Sequence, residues 1–179
     1  MSDNPILVLM AGLPGAGKTT LAYALGRELG YQVVDKDLYR QALIKQMELD
    51  PDRASKLAYE LSFAQIHTQL VQRQLSVIFD TAALHRITFD RIMDIMSRND
   101  RAILRVILCV TGRDLRNDRL RKRVDQPTSI DIDPATTADY LRHFDHLPDE
   151  KLTLFTHEPF DSYLAKAKAY INLPDVVLI

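Results

Sequence analysis

The chain has 179 residues, 46% of them hydrophobic and 26% charged, which suits one domain with a sizeable core. A formal net charge of −1 excludes a global field that would draw it to nucleic acid or membrane, and no apolar run approaches a membrane span. The opening Met1-Ser2-Asp3-Asn4-Pro5 lacks the positive n-region of a signal peptide, and the single cysteine, Cys109, excludes a disulfide within the chain; a cytoplasmic protein is expected.

The first element is the apolar run Ile6-Leu7-Val8-Leu9-Met10, a short strand. It runs into Gly12-Leu13-Pro14-Gly15-Ala16-Gly17-Lys18-Thr19-Thr20. The spacing Gly12-x-x-x-x-Gly17-Lys18-Thr19 fits the phosphate-binding P-loop without departure. Its glycines permit backbone conformations closed to other residues, so successive N–H groups can turn inward around an anion. A helix follows, with Leu21, Ala22, Leu25 and Leu29 at helical spacing and Gly30 as its stop. The helix N-terminus adds free amides and the positive end of its dipole. Lys18 supplies a charge for the β- and γ-phosphates, and the Thr19 hydroxyl is placed to ligate Mg²⁺.

A second strand over 32–34 ends in Asp35-Lys36-Asp37-Leu38-Tyr39-Arg40. Ligands of α/β sheets gather beyond the C-terminal ends of strands, so Asp37 faces the crevice of the P-loop. A carboxylate there can accept or orient the proton of a hydroxyl, and Arg40, one turn on, can reach a polar or anionic group. The other role open to these aspartates is capping the following helix, a role assigned to Asp35. A long helical stretch is predicted at about 53–73, with Leu57, Leu61, Ala64 and Val71 on one face.

The third strand, 77–79, ends at Asp80 with Thr81 after it. No glutamate adjoins Asp80 to polarise water, which favours transfer to a bound acceptor over hydrolysis. The chain also lacks the Asn/Thr-Lys-x-Asp guanine-reading motif. A fourth strand, 103–109, buries Cys109 and precedes the basic segment Arg113 to Arg123. On a helix, Arg116, Arg119 and Arg123 share a face. Phosphoryl transfer is catalysed mainly by positioning and cationic stabilisation, which an arginine-bearing lid over 113–134 would provide; a solvated helical face is the other reading. Aromatic residues are not interleaved there, which disfavours nucleic acid. His143 and His146 read as surface residues rather than metal ligands. A fifth strand, 152–155, and a last amphipathic helix near 160–172 complete the repeated strand-then-helix order. That order implies a five-stranded parallel sheet with helices on both faces.

The set GLPGAGKTT, DKDLYR, VIFDTAAL and RNDRLRKRV resembles small P-loop kinases related to zeta toxins, chloramphenicol phosphotransferase, gluconate kinase and bacteriophage polynucleotide kinase. The resemblance covers roughly residues 5 to 172. It implies that Asp37 acts as base with Arg40 beside the substrate, that Asp80 helps place acceptor or metal, and that Arg119 and Arg123 are the lid arginines. Many relatives carry a glycine before the third strand, where this chain has Gln72-Arg73-Gln74. The expectation is one domain that takes ATP and Mg²⁺ and phosphorylates a hydroxyl of a small polar molecule, with residues 41–73 walling the acceptor side. A polynucleotide 5′-kinase and a nucleotide-dependent switch are the alternatives. The sequence names neither the acceptor nor the oligomeric state.

Overall fold

Every residue of Ile6–Ala11 (β1) is buried, because β1 is the central strand of a parallel sheet covered on both faces. The computed structural model describes residues 4–122 and 132–174. After β1 come α1 (Lys18–Leu29), β2 (Gln32–Asp35), α2 (Lys36–Met47), α3 (Pro51–His67) and a π turn (Thr68–Gln72). The chain continues with β3 (Val77–Asp80), α4 (Arg86–Met96), β4 (Ile103–Val110), α5 (Arg113–Arg121), α6 (Thr137–Arg142), β5 (Leu152–Phe155) and α7 (Phe160–Ile171). All four strand pairings are parallel, in the order β2-β3-β1-β4-β5.

Period-two alternation divides β1 between two cores. Leu7, Leu9 and Ala11 pack with Phe63, Ile66, Phe79 and Leu108 on the face covered by α3, α4 and α6. Ile6, Val8 and Met10 pack with Leu21, Leu25, Ile107 and Leu164 on the face covered by α1 and α7. Cys109 lies fully buried in the second core, and burial pushes its thiol up to about 12, so it is an inert packing residue.

Three details depart from the sequence reading. The long helix starts at Pro51, with Asp50 capping the amides of Asp52 and Arg53, and its last turn relaxes into the π form. Its buried face is Ala54, Ala58, Ser62, Phe63 and Ile66, whereas Leu57 and Leu61 are 39% and 41% exposed and Ala64 is also exposed. Small residues let α3 lie close to α2, and the aromatic and branched residues reach the sheet, so the leucine face turns outward. Before β3, Gln74 takes the left-handed conformation, φ 56°, that a glycine would adopt freely. Its side chain is tied to the Val71 carbonyl and to Asn99, which offsets the backbone cost.

Candidate functional site

The P-loop connects the end of β1 to α1, and strand order places the ends of β3 and β4 on either side of it. Gly17 caps α1 at φ 87° and Gly12 adopts φ 138°. A Cβ on Gly12 would lie 2.5 Å from the Cys109 carbonyl oxygen, so the loop can approach β4 only as glycine. The loop is braced from outside. The Gly12 amide donates to the Ala82 carbonyl at 3.1 Å, the Leu13 amide to Tyr140 Oη at 2.7 Å, and the Ala16 amide to the Leu13 carbonyl at 3.1 Å. Thr156 Oγ1 donates to the Ala16 carbonyl at 2.8 Å. In a trans peptide the carbonyl and the following N–H point in opposite directions, so fixing the Ala16 carbonyl outward turns the Gly17 amide inward. The amides of Gly15 and Gly17 donate to no described group, and those of Thr19 and Thr20 lie in the first helical turn, where helix geometry offers no partner. These open amides form an anion-binding nest.

Lys18 extends along the loop, its Nζ donating to the Leu13 carbonyl at 3.1 Å. Asp80, only 4% exposed, ends β3 beside it. Burial pushes its carboxyl up to about 6, against the opposing pull of Lys18 and of a hydrogen bond from Thr19. Its Oδ1 is buried without a hydrogen-bond partner. Such an orphaned oxygen next to a threonine hydroxyl is a donor set for a hard divalent cation, so Thr19 and Asp80 fit Mg²⁺. No cluster of three or more His, Cys, Asp or Glu residues that could hold a metal occurs among the described residues.

Asp35 is the register partner of Asp80 on β2. Its Oδ1 accepts the amides of Asp37 and Leu38 at 2.9 and 3.2 Å, capping α2, and its Oδ2 accepts Tyr23 Oη at 3.3 Å. Burial pushes its carboxyl up, with the two amides opposing the shift. Asp37 is different: its side chain is 66% exposed and pairs with Lys36 Nζ at 2.6 Å. Lys36 itself is 13% exposed and lies 5.2 Å from the centroid of the Tyr59 ring, whose hydroxyl is 3.3 Å from Thr81 Oγ1. Arg40 follows one turn along α2, and its Nε is buried without a partner.

Arg119 reaches across the outside of the P-loop from α5. Its guanidinium donates to the Gly15 carbonyl at 3.3 Å, to Thr156 Oγ1 at 3.1 Å and to the Thr156 carbonyl at 2.8 Å. Arg116, on the same face, is buried against Gly15 and paired with Asp133. Arg123 lies outside the described residues. The structure thus brings Gly12 to Thr20, Asp80 and Arg119 together, with Asp37 and Arg40 at the neighbouring end of β2. His143 is exposed as read from the sequence, but His146 is half-buried with a ring nitrogen 3.0 Å from the Ala83 carbonyl. Ala83 holds φ 49° in the turn after β3, and that contact helps to fix it. The sequence reading missed Tyr140 as part of the site and the bracing of the loop by Thr156, because these contacts span 127 and 140 residues.

A profile of the AAA domain family matches residues 7–147. The signal recognition particle protein of Escherichia coli K12 is 49% identical over 53 residues, 26% of this chain; the chain spans about 12% of that protein's length. Among solved structures, a protein of Chloroflexus aurantiacus assigned as a kinase superimposes with a TM-score of 0.73 at 19% identity, covering 94% of this chain and 100% of that one. The APS kinase of Mycobacterium tuberculosis, in complex with AMPPNP and APS, gives 0.65 at 16% identity over 95% and 99%. A gluconokinase of Sinorhizobium meliloti gives 0.57 at 17% identity over 95% and 92%. By profile and by architecture, the chain belongs to the AAA domain family and has the fold of the small P-loop kinases.

Proposed function

We propose that the chain binds ATP with Mg²⁺ and transfers the γ-phosphoryl group to a hydroxyl of a small polar acceptor. The observation that carries this reading is a nest of open amides and Lys18 facing carboxylates at the ends of β2 and β3, where Thr81 follows Asp80 and no glutamate adjoins it to activate water. The likeness to a gluconokinase and an APS kinase supports a small-molecule acceptor.

In this reading the amides of Gly15 and of residues 17–20, with the Lys18 side chain, hold the phosphates. Thr19 and Asp80 would hold Mg²⁺, whose charge would neutralise the phosphate oxygens. Asp37 orients and deprotonates the acceptor hydroxyl from across the crevice, and Arg40 binds a polar group of the acceptor. Arg123 places positive charge at the transferred group, and Arg119 joins it on turning from the Gly15 and Thr156 carbonyls to which it donates in this structure. The region 41–73 walls the acceptor side, and the whole chain acts as one kinase domain.

The test is incubation with γ-labelled ATP and a panel of sugars, nucleosides, aminoglycosides and oligonucleotides. A small hydroxyl compound should carry the label, with ADP formed in equal amount. Label transferred only to oligonucleotide 5′ ends, or released only as inorganic phosphate across the whole panel, contradicts the reading.

A further inference from the structure

We propose that Tyr140 is a positioning residue for Lys18, acting through Leu13. The phenol lies on α6, remote in sequence from the loop it touches. Its oxygen accepts the Leu13 N–H at 2.7 Å and donates its own hydrogen to the Cys109 carbonyl at 2.8 Å. The carbonyl of the same Leu13 accepts Lys18 Nζ at 3.1 Å. The two sets of contacts thus meet at Leu13, Tyr140 holding the peptide before its Cα and Lys18 the peptide after it.

The anchor is rigid. Tyr140 is 2% exposed, and its ring stacks on Phe144 with centroids 5.6 Å apart and planes 28° from parallel. The loop presses against it, since a Cβ on Gly12 would lie 3.2 Å from the phenol oxygen. Burial holds the phenol pKa above its ordinary value, so the hydroxyl stays protonated and keeps donating to Cys109. Without that hydroxyl, the Leu13 N–H loses its acceptor in a buried place. Leu13 is then no longer pinned through its N–H, and a shift of the residue carries along its carbonyl, which belongs to the next peptide and also accepts the Ala16 amide. Lys18 then loses the contact that aims it along the loop.

The proposal rests on nucleotide binding at the P-loop but needs no acceptor, so its test is a titration. Dissociation constants for ATP with Mg²⁺ and for AMP are measured with the wild type, Tyr140→Phe, Lys18→Ala and the double variant. Phenylalanine retains the ring and its stack on Phe144. Lys18 serves the β- and γ-phosphates, which AMP lacks. Tyr140→Phe should therefore weaken ATP about tenfold, the loss expected when one hydrogen bond of a charged group is misplaced, and leave AMP within about twofold. In the Lys18→Ala background the same change should weaken ATP by less than about twofold, because two residues acting through one contact are not additive. Equal weakening of ATP and AMP, a full effect in the Lys18→Ala background, or unchanged ATP binding overturns the role of Tyr140. If Lys18→Ala itself leaves ATP binding unchanged, the assignment of the nucleotide site fails, and the proposal falls with it.

Discussion

Asp35 and Asp37 stand two residues apart and do different things. Asp35 caps α2 with two amide hydrogen bonds, whereas Asp37 presents an exposed carboxylate held by Lys36. Asp35→Ala should lower unfolding stability by about 1 kcal/mol, the usual cost of a lost cap. Asp37→Asn should leave stability within about 0.5 kcal/mol but reduce phosphotransfer by about 10²–10⁴-fold, as expected for a general base. Denaturant unfolding and initial rates on the two variants check the pair, and near-normal turnover by Asp37→Asn removes it from the chemistry. Asp80 gives a pH prediction. Its carboxyl is raised from 3.8 to about 6 in the fold, so the folded state holds that proton more tightly than the unfolded one. Its contribution is fully present below about pH 4 and is lost as pH rises to about 6, a loss on the order of 3 kcal/mol. Urea unfolding with chelator at pH 4 and pH 7 should show this loss in the wild type and not in Asp80→Asn. Gly12 to Thr20 and Asp80 were legible in the sequence because a loop-plus-lysine motif and a strand-ending acid are local signals. The contacts by which Thr156 and Tyr140 brace the loop were not, since a lone threonine or tyrosine says nothing of a partner more than a hundred residues away.

At the scale of elements, the strands were legible to within a residue or two, because apolar runs between turn residues have few other uses. The sequence showed a leucine stripe on α3 but not which face of the helix is buried. Counting large apolar residues favours Leu57 and Leu61, but the helix packs through Ala54 and Ala58 toward α2 and through Phe63 and Ile66 toward the sheet. Periodicity marks every apolar stripe on a helix and does not say which one meets the sheet. Ile66→Ala should therefore cost about 2–5 kcal/mol of stability, and Leu57→Ser with Leu61→Ser together no more than about 1 kcal/mol. Chemical denaturation distinguishes the two faces, and a larger loss from the leucine pair contradicts the assigned packing. The basic helix α5 was read as an arginine face, and its Arg116 and Arg119 do turn toward the P-loop. The sequence did not reveal that Arg116 would be buried in an ion pair with Asp133, because the return of that aspartate is set by tertiary structure.

At the scale of the molecule, strand order makes the site. With β1 between β3 and β4, the P-loop opens between Asp80 on one side and the Cys109–Tyr140 anchor on the other. Placing β2 beyond β3 sets Asp37 at the same C-terminal edge of the sheet as the P-loop. Right-handed crossovers in parallel sheets carry the helices to both faces and leave this edge open. No helix among the described residues is long and apolar enough to cross a membrane. The most direct test is a crystal structure with Mg²⁺ and a non-hydrolysable ATP analogue. The β- and γ-phosphates should lie about 3 Å from the amides of Gly15, Gly17 and Lys18. The metal should be held by Thr19 directly and by Asp80 directly or through water, and the Asp37 carboxylate should face the γ-phosphate across an open acceptor space. Phosphates bound away from the loop, or Asp37 turned away from the γ-phosphate in that complex, would contradict the account.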